Sequence, residues 1–518
     1  MADIVAQQAY PMEEHAKKTS MLGDENFDHV DLPLPQQDAE FVANFPEQSR
    51  KKLLRKIDIR LLPVLTSLYI LSEMDRANIA NAQIEGMSED LGLKGVQYNI
   101  ALSTFFITYI LFEIPSNSML DRYFPNRPSY WLGGLTFSWG VFMTLHGIVR
   151  NFGGLVTVRL LMGIFEAGLF PGAILVMNKW YLKFELGSRV AIYYMGSAIA
   201  GAFSGLLAFA LAKMDGIAGV AGWRWIFIIE GILTAVVGVG VFFLLIDSPQ
   251  RPCRWMTEDE RRYLELRMVA QDGGHKLHTE GRRFSWRILK DVVTDWQFYP
   301  MAFVFWSNTI PGYGMKFTMP QIIKNMGFTS SVAQLMTIPP YFCGAVSAYV
   351  FGRLADKIKR RAYFLVVPQT CLVISFAILT PLAPNIKDNI GPCFFAVILA
   401  CIGIYPVQPG SSSWISNNLA GPAKRAIGLA FAFSLTNVGS VGGSYIYIAS
   451  EAPSYPTGFG CSLTFAITGI LGVICLELNY MRLNKKRARM SEEEIRSTYT
   501  DEQLAAMGNK SPLYRYTL

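Results

Sequence analysis

Charge is scarce in this chain. Of its 518 residues only 17% are acidic or basic, while 51% are hydrophobic and the mean hydropathy is +0.26. Soluble proteins carry about a quarter charged residues, so a water-exposed surface of ordinary chemistry is out of reach for a chain of this size. The five histidines and seven cysteines are scattered and form no CxxC or HxxxH pair, which removes zinc-site and disulfide-framework readings. There is no Walker A string, no DKTGT and no HExxH, so ATP-driven pumping and zinc hydrolysis have no residues to perform them. Residues 1–56 are polar and hold no apolar run of the kind a cleaved signal peptide needs.

What the chain has instead is apolar blocks long enough to cross a bilayer, about 20 residues each. They fall at 59–81, 97–117, 130–149, 155–178, 190–212 and 223–246, and again at 298–318, 332–351, 363–382, 391–414, 426–449 and 460–481. This pattern predicts an all-α membrane protein with twelve transmembrane helices in two six-helix bundles, 57–246 and 298–482. A disordered N-terminal tail (1–56), a central loop (247–297) and a basic, partly helical C-terminal tail (483–518) complete the expected organisation. Within the loop, Thr257–Arg267 (TEDERRYLELR) reads as a capped amphipathic helix.

Lysine and arginine concentrate in the odd-side loops and both tails. The even side has single ones, at Lys94, Arg150, Lys213, Lys324 and Lys387, which predicts that both termini and the central loop are cytoplasmic. The net charge of +7 is then a topology signal that needs no nucleic-acid partner, and anionic lipid headgroups suffice for the basic loop. The single N-x-[ST] sequon, at Asn509, falls on the side that glycosylation does not reach.

A repeat joins the two halves. NSMLDRYFPNR (Asn117–Arg127) follows the second span and GRLADKIKRR (Gly352–Arg361) follows the eighth. Asp121 with Arg122, and Asp356 with Lys357, place acid and base where helix ends can be latched in one conformation and released in another. The second copy has the G-x-L-A-D-[KR]-x-x-R-R form and resembles the loop motif of the major facilitator superfamily. The first departs from it, with Asn117 in place of glycine and Pro125 in the turn. A repeat of this kind implies a pseudo-twofold pair of bundles with a central site.

Charges inside the apolar blocks are the strongest functional signal. The first span contains Glu73, Asp75 and Arg76. Each would cost about 2.5–3.5 kcal/mol at a helix centre, so lipid exposure is untenable and an aqueous cavity is the expected setting. The fourth span, RLLMGIFEAGLFPG, sets Arg159 and Glu166 two turns apart on one face, with Gly163 between them and Pro171 as a break. Arg159 reads equally well as a tether for cytoplasmic carbonyls, whereas Asp75 and Glu166 read as proton-exchanging carboxylates. In the second half few charges are buried, so substrate shape is expected to be read by Tyr313, Trp414 and Asn437, with Asn417, Asn418 and Lys316 as weaker candidates. The bland readings are an interhelical hydrogen bond for Asn437, an interfacial anchor for Trp414 and a lysine that snorkels outward for Lys316.

The strings LSEMDRANIANA, RLLMGIFEAGLFPGAILVMNKWY, GWRWIFIIEG, WISNNLAGPAKRA and YIASEAPSYPTG, spread over roughly residues 55–485, together resemble the anion:cation symporter family within that superfamily. The last two point to its fungal branch, similar to allantoate, nicotinate and pantothenate permeases. The resemblance implies proton-coupled uptake of a small organic carboxylate by alternating access. It gives proton transfer to Asp75 and Glu166, the substrate carboxylate to Arg76, and a required arginine to Arg159. Glu73 stands where the family commonly has an aromatic. A multi-pass plasma-membrane monomer whose partners are an organic anion, protons and lipid, with no cofactor and no enzymatic activity, is the expectation. Two other readings stay open, efflux by antiport and a non-transporting nutrient receptor. The fifth span, YYMGSAIAGAFSGLLAFAL, lacks the glycine-proline motif of the superfamily's antiporters, and a receptor could dispense with the buried acids.

Overall fold

The computed structural model describes residues 35–251, 255–271, 286–358, 360–420, 422–490, 492–500, 503–504 and 507–518. Among them the regular structure is entirely helical. The helices used below are α1 (Gln36–Ala43), α2 (Glu47–Ile84), α3 (Met87–Asp90), α4 (Gln97–Tyr123), α5 (Pro128–His146), α6 (Phe152–Glu166), α7 (Leu169–Trp180), α8 (Lys183–Ala212) and α9 (Gly222–Leu244). They continue with α10 (Glu258–Gln271), α11 (Trp286–Val293), α12 (Phe298–Asn325), α13 (Ser330–Leu335), α14 (Ile338–Ile358), α15 (Tyr363–Leu382), α16 (Ile390–Asn417), α17 (Pro422–Gly443) and α18 (Pro456–Arg487).

Eight of the helical stretches are long and apolar enough to cross a membrane, with α6 and α7 counting as one and α13 joined to most of α14 as another. The long helices α2, α5, α12 and α17 are not among them. In α2 the reason is plain, because Glu73, Asp75 and Arg76 lower its hydropathy while all three are buried by neighbouring helices. The outward faces carry large apolar side chains such as Phe243 (84% exposed) and Ile114 (68%), a surface suited to hydrocarbon and not to water.

Close approach of backbones organises the first half. A Cβ at Gly140 of α5 would sit 2.4 Å from the amide nitrogen of Ala235, and one at Gly231 of α9 would sit 2.3 Å from that of Thr144. Small residues therefore let α5 and α9 lie against each other, as helix pairs in lipid require. Pro171 supplies the interruption between α6 and α7. Its ring conflicts with the carbonyl four residues back, Ala167, and the helix is broken at Ala167–Gly168.

Residues assigned to the tails are more ordered than the sequence implies. Residues 36–43 form α1 and α2 already begins at Glu47, so the expected disordered segment is overturned there; residues 1–34 lie outside the described residues. Arg262 of α10 reaches Asp38 (2.7 Å), and Tyr263 stacks on Phe45 at 4.0 Å between ring centroids. The expected cap of α10 is present: the Glu260 N–H donates to Thr257 Oγ1 (3.3 Å) and the Thr257 N–H donates to Glu260 Oε2 (3.1 Å). Far from being a free basic arm, α10 buries Arg267 against Glu185 (3.0 Å) and the Trp180 carbonyl (2.9 Å).

The end of the chain packs as well. Asn418 and Asn484 each grip one residue of it through paired bonds. Asn418 accepts from the Thr517 N–H (2.8 Å) and donates to the Thr517 carbonyl (3.1 Å), while Asn484 does the same for Tyr516 (2.8 Å each). Tyr516 stacks on Tyr480 at 4.7 Å. Asn509, the sequon asparagine, is buried and donates to Asp295 (3.0 Å), which also receives Lys424 (2.7 Å). Burial pushes the Asp295 carboxyl up, but the hydrogen bonds and charge of Lys424, with Asn509 and Gln297, outweigh it and hold the pKa below the ordinary value.

Candidate functional site

Successive residues of a helix point about 100° apart, so the polar run in α2 is dealt out to different neighbours. Glu73 and Arg76, three residues apart, face the middle of the molecule. Arg76 Nε donates to Glu166 Oε1 at 2.6 Å and its Nη1 to Glu73 Oε1 at 3.1 Å, and its guanidinium lies over the rings of Tyr109 (4.9 Å) and Phe105 (5.5 Å). Ser72 donates to the same oxygen of Glu166 (2.5 Å). The other oxygen of Glu73 receives Lys316 Nζ from α12 (2.9 Å) and Ser197 Oγ from α8 (3.1 Å).

These groups line a cavity between the two halves, with about 1050 Å³ of empty space when the open solvent at its mouth is included. Arg76, Glu73, Lys316, Tyr313 and Asn437 all reach it, together with Tyr341, Tyr405, Asn308 and Gln408. The walls combine aromatic rings with a few amides, hydroxyls and charged groups, the usual make-up of a small-molecule pocket. Glu166 is fully buried and touches the cavity only through Arg76.

Asp75 goes elsewhere, contrary to the expectation of one shared chamber. One residue before Arg76, it turns into the first half, where its Oδ2 accepts from Trp139 Nε1 of α5 (2.8 Å) and Thr234 Oγ1 of α9 (3.2 Å). It is fully buried and does not line the cavity. On the same side, Asn78 donates to Glu230 of α9, while Ser204 donates to Asn78 Oδ1 (3.1 Å) and Asn81 donates to Ser204 (2.9 Å). Arg159 is also inside this half, 2% exposed, with Nε and Nη2 lacking hydrogen-bond partners and the charges of Glu166 and Asp75 within reach.

The remaining sequence candidates divide. Asn437 spans the cavity and donates to Glu113 of α4 (3.1 Å), and Tyr313 packs edge-on against Phe106 (4.8 Å). Trp414 does not line the cavity; it is buried beneath the chain end and donates to the Thr517 carbonyl (3.0 Å). A wall residue was expected there, but α16 carries it below the pocket, to the end where the tail packs. Lys316 turns inward to Glu73 and does not snorkel outward. Asp121, Arg122 and Lys357 are exposed at the helix ends, and the side chain of Asp356 lies outside the described residues.

Glu113 and Glu230 are site residues that the reading of the sequence passed over, although each is an acid inside an apolar window. Tyr341, Tyr405 and Gln408 carried no such signal. Among the described residues, no three His, Cys, Asp or Glu side chains gather closely enough to hold a metal ion.

One end of the cavity is closed. Lys324 and Ser330 both donate to the Ile84 carbonyl (2.8 and 3.1 Å), and Gln334 donates to Glu85 (3.0 Å). Asn99 donates to the Ser444 carbonyl (2.6 Å), and Ser103 pairs with Tyr445 (2.9 Å). The described hydrogen bonds between the halves run from the level of Glu73 and Glu113 to this end, which is opposite to α1, α10 and the packed chain end.

Comparison with known proteins agrees with this architecture. Residues 65–444 match the Major Facilitator Superfamily family model. The chain is 37% identical over 485 residues to an MFS-type transporter, cnsO, of Penicillium expansum, with 92% of each chain covered. Among solved structures it is similar to the xylose transporter XylE of E. coli in a partially occluded inward-open conformation, with a TM-score of 0.62, 14% identity, and 80% of this chain and 97% of that one covered. It is also similar to an inward-facing bacterial homolog of the human lysosomal transporter Spinster, with a TM-score of 0.58, 17% identity, and coverage of 81% and 94%.

Proposed function

The chain belongs to the Major Facilitator Superfamily and is a multi-pass membrane transporter, and from that premise we propose that it takes up a small organic carboxylate together with protons. The observation that carries this reading is the Arg76–Glu166 pair: a cation that lines the cavity, neutralised by a carboxylate sealed behind it. While Glu166 is ionised, Arg76 is occupied. A proton on Glu166 weakens that bond and turns Arg76 toward an anion from outside. Anion and proton then share one cation in alternation, and this exchange is the core of symport. Asp75, bonded to α5 and α9, and Glu230 of α9, bonded to Asn78 of α2, form a second acidic station within the first half, away from the cavity.

In this reading all twelve long helical stretches cross the membrane, as two six-helix bundles over 57–246 and 298–482. The four that fall short on hydropathy or length turn polar groups inward or, like α17, start at a polar helix end. The lysine and arginine bias assigns both termini and the central loop to the cytoplasm. The closed end is then extracellular and the conformation inward-facing. Residues Asp121, Arg122 and Lys357 sit released at the open end, which suits latches that engage in the opposite state. A monomer in the plasma membrane is the simplest form.

The resemblance to the fungal branch of the anion:cation symporters suggests a vitamin or ureido acid, and the aromatic walls with Asn308, Gln408 and Asn437 suit a small planar or branched acid. Uptake of radiolabelled nicotinate, pantothenate, allantoate and galactonate at pH 5 and pH 7.5 is the direct test. At least one should accumulate, faster at the acid pH. Uptake confined to neutral or cationic solutes, or an acid whose uptake ignores pH, would end the proposal.

A further inference from the structure

Glu73 is the residue that the proposed chemistry does not need, and it holds the most contested position in the cavity. Its carboxylate collects three donors from three helices: Arg76 Nη1 on α2, Ser197 Oγ on α8 and Lys316 Nζ on α12. Two of those donors are cationic, and Lys316 belongs to the second half while the others belong to the first. All four side chains line the cavity. The set of donors is what a carboxylate ligand would require, and it is already filled.

The charge count supports this. The formal charges of Arg76 and Lys316 are at least matched by Glu73 and Glu113 in the cavity and Glu166 behind it, so the site holds no excess positive charge when nothing is bound. Arg76 has Nε committed to Glu166 and Nη1 to Glu73, so each of the two edges by which a guanidinium gives a carboxylate a two-pronged grip already has one nitrogen engaged. An incoming anion can therefore take full hold only at the place that the Glu73 carboxylate now occupies.

We propose that the Glu73 carboxylate is a tethered stand-in for the substrate carboxylate, and that substrate binds by displacing it from Lys316, Ser197 and Arg76 Nη1. Lys316 is thereby a second substrate-binding cation. This inference rests on the organic-anion reading above and makes it more specific. Arg76 supplies the anchor in the first half and Lys316 the anchor in the second. An ionic bridge between the halves, Glu73 to Lys316, is exchanged for one through the substrate. A cavity without ligand keeps its halves tied at mid-depth and does not present two bare cations to cytoplasmic anions at large. Selectivity follows, since only an acid that also fits the aromatic walls recovers what breaking the internal bridge costs.

The test uses the purified full-length transporter in detergent, with nicotinate, pantothenate, allantoate and galactonate as probes and nicotinamide as the uncharged control. Binding is read by thermal shift and by scintillation proximity at one fixed pH. Glu73→Gln keeps size and hydrogen bonding but removes the competing charge. It should tighten the bound carboxylate by about tenfold or more, within the 5–150-fold range usual for coupled sites, and leave nicotinamide unchanged. Lys316→Met should weaken the same acid by a similar factor. Glu73→Asp, which keeps the charge but is too short to span Arg76 and Lys316, should fall between wild type and Glu73→Gln, and it serves if the glutamine variant does not fold. Carboxylate affinity that is unchanged or weaker in both Glu73 variants would overturn the stand-in role. So would equal tightening of nicotinamide, because the effect would then be one of shape. If the wild-type protein binds none of the acids, it is the organic-anion reading that fails, and the stand-in fails with it.

Discussion

Replacing Glu166 by glutamine separates binding from coupling. The substitution keeps an acceptor for the Ser72 hydroxyl and for Arg76 Nε, contacts of 2.5 and 2.6 Å in the wild-type protein, but Glu166 can no longer gain or lose a proton. The magnitude follows from charge. A monoanion carried with one proton crosses as a neutral unit, so its accumulation ignores the membrane potential and rises about tenfold per unit of pH gradient, 1.36 kcal/mol. An uncoupled monoanion works against about 2.3 kcal/mol at 100 mV, inside negative, and equilibrates about fiftyfold below the outside concentration. With one pH unit and 100 mV imposed together, the two cases differ by roughly five-hundredfold. Proteoliposomes with a potassium–valinomycin potential and a radiolabelled acid measure this ratio directly, and counterflow at zero gradient checks that the variant still exchanges substrate. Glu166→Gln should exchange but not accumulate. Tenfold accumulation per pH unit in that variant would refute the coupling role.

Two further outcomes concern the scaffold. Gly231→Ala places a methyl group 2.3 Å from the Thr144 amide nitrogen, inside the α5–α9 seam, and should lower stability by about 1–3 kcal/mol, read as a fall in the melting temperature of the purified protein. The packed chain end should be released by acid. The Asp295 carboxyl titrates below its ordinary value of 3.8 in the folded protein, so its contribution is complete above that pH and is lost as pH falls through the lowered folded value. Hydrogen exchange at the Tyr516 and Thr517 amides, taken relative to the intrinsic rate at each pH, should accelerate only below about pH 4. Asp295→Asn should accelerate it at neutral pH and remove the acid dependence, and protection that is indifferent to Asp295 would show that the aromatic stacking on Tyr480 alone holds the segment.

The apolar windows were legible because a bilayer demands about 20 nonpolar residues per helix whatever else the helix does. The same demand hid part of the fold. Residues 36–43 and 507–518 are too polar for lipid and too short for a strong periodic signal, so they read as tails. Their order comes from partners far away in sequence: Arg262 and Tyr263 for the first, Asn418, Asn484 and Tyr480 for the second. Trp414 was misassigned for the same reason. A tryptophan near the end of a span is a wall residue or an anchor by local rules, and only the returning Thr517 carbonyl makes it a support for the chain end.

At the site, the cost of burying charge says that Glu73, Asp75 and Arg76 are kept from lipid, as their burial agrees, but not in which direction each points. Asp75 and Arg76 are neighbours in sequence, and the price of leaving either in lipid is similar. Helical geometry obliges them to diverge, and the choice of which enters the cavity depends on α12 and α6 supplying Lys316 and Glu166 on one side, while α5 and α9 supply Trp139 and Thr234 on the other. The consequence is mechanistic. If Asp75 does carry protons, it does so without touching substrate. Its influence on Arg76 can then pass along α2 itself, by a shift of that helix against α5 and α9 as Asp75 gains or loses its bonds to Trp139 and Thr234. A carboxylate in the wall of the first half would thus set the position of the cation that the substrate meets one residue later.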